Sequence, residues 1–201
     1  MKFFLFAFSI IMILETHAQS ATLSSSWRDP ETLVKMGQFN KVLVVAFVKN
    51  PANRRIVEDD VIKILKSKGI ASYQYLGEGS TTLSLEELSD KIKNDEFDGA
   101  IIMRLIDPAK DINHMPGTGT YPSYYKDFFP FYDGASSSYH DESYTSSRTS
   151  YAVETNMYSF KENKLIWNGI TNTIEPKNLD KMVEAIGKVI TKEIKKQGFL
   201  Y

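Results

Sequence analysis

The sequence predicts a three-layer α/β sandwich, in which a mixed sheet lies between helices on both faces. Residues 41–49 form an apolar run between two lysines, which is typical of a central strand buried on both faces. Residues 100–106 are a second run of this kind. An alternating hairpin at 151–174 and an apolar helical stripe at 179–194 follow. We therefore expect a parallel β-α-β-α-β half, an antiparallel hairpin and a closing helix.

The first 18 residues have the features of a secretory signal peptide. Met1 and Lys2 give a short basic start, residues 3–14 are largely apolar, and Ala18 supplies a small residue for cleavage. The apolar run is shorter than the about 20 residues that a membrane-spanning helix needs. We expect residues 1–18 to be removed on export. The remaining residues 19–201 should form one periplasmic or envelope-associated domain without a transmembrane span.

The composition argues against several functional classes. The chain contains no cysteine, so an exported form must be stable without disulfides. Its net charge of −1 gives no indication of nucleic-acid binding. No Gly-x-Ser-x-Gly turn of a serine hydrolase is present, and neither His114 nor His140 has a second ligand at metal-site spacing. We predict no cofactor and no metal, and we favour a protein without catalytic activity.

The segments around the central strand contain two signals for helix starts. Residues 21–27 alternate weakly, which predicts an edge strand. Asp29 followed by Pro30 predicts a cap and one or two helical turns that end near Gly37. The same signal at Asn50 and Pro51 predicts a long helix. Its apolar positions at helical spacing are Val57, Val61, Ile64 and Leu65.

The next segments complete the parallel half of the sheet. Residues 70–76 predict a second strand. Ser84 and Glu87 form a capping box, which predicts a helix start. The buried stripe of that helix should consist of Leu85, Leu88 and Ile92. The third strand, at 100–106, follows.

Residues 108–150 show no periodicity and are rich in tyrosine, phenylalanine, proline, glycine and serine. We expect one long insertion without a packed element, partly ordered at most and dispensable for folding. Large rigid rings suit protein or glycan partners. The alternative is a loop folded over its own aromatic cluster. The candidate partner-binding residues are Tyr121, Tyr124, Tyr125, Phe128, Phe129 and Tyr132.

Cationic side chains gather at the predicted carboxyl edge of the parallel strands, where α/β proteins bind ligands. The candidate ligand-binding residues are Lys49, Arg54, Arg55, Arg104 and Asp107. A helix start, as at Arg54 and Arg55, favours anions.

Each arginine also has a structural interpretation. Arg54 and Arg55 can pair with Glu58 and Asp59 one turn on. Arg104 interrupts an apolar strand and can form a buried ion pair with Glu154. No glycine-rich loop follows the central strand, so a nucleotide site has little support.

A family resemblance extends over nearly all of the chain after residue 18. The residues that carry it are 25–30, 41–48, Lys49-Asn50 with Arg54-Arg55 and Glu58-Asp59, Asp98-Gly99, 154–158 and 164–167. In these the chain resembles a group of Gram-negative cell-envelope proteins, many of them lipoproteins, that have no established activity. The layout is loosely similar to the envelope domains of TolB and the curli-secretion lipoproteins. The resemblance implies a fold and an envelope address but no catalytic residue. The lipid-bearing cysteine of the lipoproteins is absent.

Two functional hypotheses follow. The first is a non-catalytic exported protein that binds an envelope protein or a glycan through its aromatic insertion. The alternative is a domain for a small molecule or an anion, with or without catalytic activity. Its pocket would lie at the edge that carries Lys49, Arg54 and Arg104.

Overall fold

The computed structural model describes residues 21–77, 83–106, 123, 126–139 and 150–199, and only the backbone at residues 36 and 137–139. The strands are β1 (Ala21–Arg28), β2 (Val42–Phe47), β3 (Gly69–Ala71), β4 (Gly99–Ile106), β5 (Ser150–Ser159) and β6 (Lys164–Ile174). The helices are α1 (Pro51–Leu65), α2 (Ser72–Tyr75), α3 (Leu85–Asn94), α4 (Phe128–Tyr139) and α5 (Leu179–Lys196). Single 3-10 turns lie at Met36–Gln38 and Lys66–Lys68.

The strands form one mixed sheet in the order β1-β6-β5-β4-β2-β3. β2 is parallel to β3 and β4, and the other neighbours are antiparallel. This confirms the predicted fold class, with a parallel half, an antiparallel hairpin and an edge strand at the start of the domain.

Helices cover both faces of the sheet, as the three-layer prediction requires. The α1/α5 face carries one apolar cluster, which includes Val57 and Val61 of α1 and Val183, Ile186 and Ile190 of α5. The α3/α4 face carries a second cluster, built on the rings and aliphatic side chains of Leu88, Ile92, Phe128, Phe131, Tyr132 and Tyr158.

The strand directions place the starts of α1 and α5 at the same edge of the sheet. β6 is antiparallel to β5, which is antiparallel to β4, so β6 runs in the direction of β4 and β2. α1 follows β2 and α5 follows β6. Both helices therefore begin at the carboxyl ends of these strands, which we call the carboxyl edge.

The helix starts predicted at Asn50 and at Ser84 are confirmed in atomic detail. The Asn50 side chain accepts hydrogen bonds from the amides of Ala52 and Asn53 at 2.9 and 3.2 Å. Ser84 and Glu87 form the complete capping box, and Asn178 caps α5. Leu88 and Ile92 are buried, but Leu85 is 38% exposed, so its place in the buried stripe was wrong.

The helix predicted to follow Asp29 and Pro30 is absent, and only the turn at Met36–Gln38 forms. The Glu162 carboxylate, in the β5–β6 turn, accepts hydrogen bonds from the Leu33 and Val34 amides, both at 3.1 Å, and from the Thr32 hydroxyl at 2.8 Å. Burial alone would raise the pKa of Glu162, but these donors and Lys164 lower it below its usual value. A distant carboxylate thus takes the amides that a helix would have used.

The strand predicted at 70–76 stops at Ala71, where the chain turns into α2. Val44–Ala71 is the last β2–β3 pair. Beyond it, the fully buried Glu58 carboxylate accepts hydrogen bonds from the Ala46 amide and the Tyr73 amide, each at 3.0 Å. A side chain of α1 therefore stands where further strand pairing would have been.

The expectation that residues 108–150 contain no packed element was wrong, because α4 lies within them. Its buried side chains are Phe128, Phe131, Tyr132 and Ala135, spaced i, i+3, i+4 and i+7 along one helical face. The Leu165 amide also donates to the Lys126 carbonyl at 2.7 Å, which fixes the start of α4 against β6. This part of the insertion belongs to the core.

Within the described residues, no helix combines the length and apolar character needed to cross a membrane.

Candidate functional site

A cavity of about 290 Å³ opens at the carboxyl edge between the first turns of α1 and α5. Its floor consists of Met103 and Leu105 of β4 and Tyr151 and Val153 of β5. We call this space the edge pocket. The other described residues that line it are Val48, Asn53, Val57, Arg104, Pro176, Asn178, Leu179, Met182, Val183 and Ile186.

The topology explains why a gap forms at this place. α1 follows β2 and α5 follows β6, while β4 and β5 lie between these two strands. The two helices therefore leave the ends of β4 and β5 less covered, and Leu105 near the end of β4 is 38% exposed. A crevice outside the carboxyl ends of strands, between diverging connections, is the usual ligand position in α/β sheets.

A second, smaller cavity of about 140 Å³ lies farther along α1 and α5, and we call it the inner cavity. Met103, Val183 and Ile186 line both spaces. At Gly187 the two helices touch, since a Cβ atom there would lie 2.3 Å from Ile64 Cδ1. The other described residues around the inner cavity are Val61, Leu65, Ile101, Thr155, Met157, Ile190, Thr191 and Ile194.

The hydroxyl of Thr155 is a buried polar group in the lining of the inner cavity. Thr155 is 2% exposed, and its hydroxyl oxygen has no hydrogen-bond partner within the part of the chain that the structure describes. A buried hydroxyl in this state costs about 1–3 kcal/mol.

The predicted cationic cluster at this edge does not converge. Arg54 Nε donates to Glu58 Oε1 at 3.0 Å, and Arg54 Nη2 donates to the Ser72 hydroxyl at 2.7 Å. The Arg54–Glu58 pairing that we weighed as the structural interpretation is thus confirmed. Because Glu58 is fully buried, the pair is more than a surface contact within one helix.

The neighbouring cations lie in different surroundings. Lys49 is exposed in the connection between β2 and α1. Arg55 is exposed, with its guanidinium 5.6 Å from the centre of the Tyr73 ring. Asp107 lies outside the described residues. Of the four candidate ligand-binding residues that the structure describes, Arg104 is the one that lines the edge pocket.

The guanidinium of Arg104 lies on the opposite face of the sheet from the edge pocket. Arg104 Nε donates to Glu154 Oε2 at 2.6 Å, as predicted, and its guanidinium lies 5.2 Å from the centre of the Phe131 ring. Glu154 Oε1 accepts a hydrogen bond from Asn168 Nδ2 at 2.9 Å. Asn168 Nδ2 also lies 2.6 Å from Asn156 Oδ1. We call Arg104, Glu154, Asn156 and Asn168 the polar network.

The polar network is a sequence of side chains across β4, β5 and β6. Glu154 and Asn156 are fully buried, and Asn168 is 1% exposed. Within the described structure the amide nitrogen of Asn156 has no hydrogen-bond partner. Sequence reasoning missed Asn156 and Asn168, although Glu154 and Asn156 are two apart in a strand and so share a face.

The candidate partner-binding residues that the structure describes are part of the core or lie against it. Phe128 and Tyr132 are 4% and 7% exposed, so a partner has no access to their rings in this conformation. Phe129 is half-buried and stacks on Phe160 with ring centres 6.2 Å apart. Tyr121, Tyr124 and Tyr125 lie outside the described residues.

Among the described residues, no group of three or more histidine, cysteine, aspartate or glutamate side chains is arranged to hold a metal ion. His114 and His140 lie outside the described part of the chain.

Comparison with known proteins gives little further information. No family model matches the chain, and no curated protein matches it. One solved structure with partial likeness is the PelC dodecamer from Paraburkholderia phytofirmans, at 9% identity and a TM-score of 0.42 over 85% of this chain and 96% of that chain. A variant of the same dodecamer gives 9% identity and a TM-score of 0.40 over 83% and 96%. Likeness at these scores supports no inference about function.

Proposed function

We propose that the protein binds a small apolar molecule in the edge pocket. The supporting observation is the cavity of about 290 Å³ between the starts of α1 and α5, at the edge where α/β sheets receive ligands. Its volume is near the lower end of the range for small-molecule pockets, about 300–1,000 Å³. The ligand is therefore small.

The side chains around the edge pocket favour an apolar ligand over an anion. Val48, Leu105, Val153 and Met182 present hydrocarbon surface, and polar amides enter mainly at the mouth from Asn53 and Asn178, which are exposed. Two of the arginines predicted to attract an anion here are engaged elsewhere, Arg54 by Glu58 and Arg104 by Glu154. Burial of apolar surface, at about 25 cal/mol per Å², is then the main driving force for binding.

Binding of a neutral fluorescent probe tests this proposal. N-Phenyl-1-naphthylamine should bind the wild-type protein, and Leu105→Trp should weaken binding at least tenfold because the indole fills the mouth of the pocket. Leu33→Trp is the matched control, since Leu33 is 88% exposed and does not line the pocket. Equal affinity of both variants for the probe, or no saturable binding to the wild type, would overturn the proposal.

Two predictions from the sequence remain proposals beside this one. Partner binding through the insertion now depends on Tyr121, Tyr124, Tyr125 and the half-buried Phe129, since Phe128 and Tyr132 are buried. Export is proposed from the character of residues 1–18 alone. N-terminal sequencing of secreted material that begins at Met1 would refute the proposed cleavage after Ala18.

A further inference from the structure

We propose that the ligand is an unbranched aliphatic chain, whose polar head stays in the edge pocket while its tail enters the inner cavity. This inference rests on the proposed function and narrows its ligand class. It starts from the relation between the two cavities, which share the walls formed by Met103, Val183 and Ile186.

The shared wall can open for a thin ligand. Met103 is unbranched and has three rotatable side-chain bonds, so it adapts its shape more easily than valine or isoleucine. Val183 and Ile186 are β-branched and sit on the regular helix α5, where their side chains are stiff. A polymethylene tail can pass beside Met103, whereas a compact ring system of similar carbon number would have to displace α5.

The two cavities follow one another along α5. The edge pocket is bounded by Leu179 and the inner cavity by Ile194, both on α5. At 1.5 Å per residue these positions are about 22 Å apart along the helix. This length suits an extended chain better than a globular ligand.

The inner cavity is also too apolar to hold water well. A buried water needs two to four polar partners, and cavities lined by aliphatic side chains stay dry and accept apolar guests. The described lining offers the hydroxyls of Thr155 and Thr191 among eleven other, mainly aliphatic, residues. An alkyl tail therefore gains contact with this lining without displacing well-bound water.

Calorimetric titration of the full chain with matched alcohols tests the inference. 1-Decanol and 1-adamantanol each carry ten carbons and one hydroxyl, but only decanol is linear. From 1-hexanol to 1-decanol the affinity should rise by up to about fourfold per methylene. Decanol should bind at least tenfold more tightly than adamantanol.

Variants locate the tail. Ile190→Phe should reduce decanol affinity toward that of hexanol and leave adamantanol affinity unchanged, because Ile190 lines the inner cavity but not the edge pocket. Val189→Phe adds the same ring on the same helix outside both cavities and should have no such effect. Circular dichroism confirms folding. If Ile190→Phe does not fold, the chain-length series in the wild type still decides the matter.

The outcomes separate the two proposals. Equal binding of decanol and adamantanol, with no gain from hexanol to decanol, would overturn the linear-chain inference and leave the edge pocket as a binding site. If neither the fluorescent probe nor any of the alcohols binds, the proposed function and this inference are both overturned.

Discussion

The two faces of the sheet are packed in different ways. The α1/α5 face is mainly aliphatic and leaves two neighbouring cavities, of about 290 and 140 Å³, under its helices. The α3/α4 face packs aromatic rings closely, with Phe128 5.7 Å from Tyr158 and 5.1 Å from Phe160 between ring centres. It also carries the polar network. The α1/α5 face has space for a ligand, whereas the α3/α4 face is held together by specific polar and aromatic contacts.

Because of this difference, we expect the residues that determine folding stability and those that determine ligand binding to lie on different faces of the sheet. A fully buried carboxylate with defined donors fixes strand register and helix position, and its removal is costly. A cavity lowers stability because the atoms around it lack partners. We therefore expect substitutions on the α3/α4 face to affect folding most, and those on the α1/α5 face to affect binding.

The largest effect should come from the polar network. Arg104→Met leaves the buried Glu154 carboxylate without its cation, which typically costs about 3–5 kcal/mol of unfolding free energy. Glu154→Gln in the same chain removes the unpaired charge. The double variant should therefore recover part of the loss, as measured by urea unfolding in a double-mutant cycle.

Additive effects in that cycle would mean that the two side chains are not coupled. Near-zero effects of both single changes would mean that the network contributes nothing to stability. Either result would contradict the comparison of the two faces.

The next effect concerns α4. Phe131 is 1% exposed beneath this helix, so Phe131→Ala should cost about 3–5 kcal/mol. Phe129→Ala is the matched control on the same helix. Its half-buried ring stacks on Phe160, so a loss of about 1 kcal/mol is expected.

Equal and small losses in thermal unfolding would show that α4 is not part of the cooperative core. That result would restore the sequence-based view of the insertion as dispensable for folding.

Structural features that depend on short-range interactions could be predicted from the sequence, whereas those that depend on distant contacts could not. Capping at Asn50 and Ser84 depends on residues within three positions, so local pattern reveals it. The segment 29–37 fails because its amides bond to Glu162, more than 120 residues away in the chain. No local pattern contains that contact. The face of α4 was a different case, since its spacing of i, i+3, i+4 and i+7 was present but masked by proline, glycine and serine.

In the candidate site, too, some features could be predicted from the sequence and others depend on the tertiary fold. The pairing of Arg104 with Glu154 could be predicted because a buried guanidinium requires a carboxylate. The edge was also predicted from strand direction. The edge pocket itself could not be, because it depends on the distance between α1 and α5, which are more than 100 residues apart in sequence. The prediction of Arg54 as a ligand-binding residue failed for a related reason. Its carboxylate partner Glu58 is buried by tertiary contacts, which the local sequence does not show.

A smaller effect should appear at the inner cavity. Thr155→Val replaces an unpaired buried hydroxyl with a methyl group of similar size, so the unfolding free energy should rise by about 1 kcal/mol. Thr171→Val is the control. Its hydroxyl donates to the Val153 carbonyl at 3.4 Å, so this change should be neutral or destabilising.

Urea unfolding at neutral pH measures both threonine variants. A loss of stability in Thr155→Val would mean that the hydroxyl has a partner, such as a bound water. The inner cavity would then be more polar than its lining indicates.

The smallest effect depends on pH and tests the α3/α4 face at its rim. The Tyr75 hydroxyl lies 2.5 Å from Asp95 Oδ2 and 3.0 Å from the Lys91 carbonyl. Burial first, and then the hydrogen bond to Asp95, raise the pKa of Tyr75 well above its usual value of 10.0. The folded state therefore favours the neutral phenol. The stability that this provides is fully present below pH 10 and is lost as pH rises from there toward the higher pKa of the folded state.

At pH 7, Tyr75→Phe should lower the unfolding free energy, measured by urea unfolding, by about 0.5 kcal/mol. The loss is small because the Asp95 side chain, which accepts the hydrogen bond from the phenol, is 41% exposed. Above pH 10 the difference should shrink and then reverse, since the phenylalanine variant has no proton to retain. Asp95→Asn is the control. It removes the carboxylate but leaves the burial, so the pKa of Tyr75 should fall part of the way toward 10. The alkaline loss of stability should still begin near pH 10, but it should be smaller and should level off at lower pH than in the wild type. A difference between wild type and Tyr75→Phe that stays constant from pH 7 to 11 would show that this phenol titrates alike in the folded and unfolded chains.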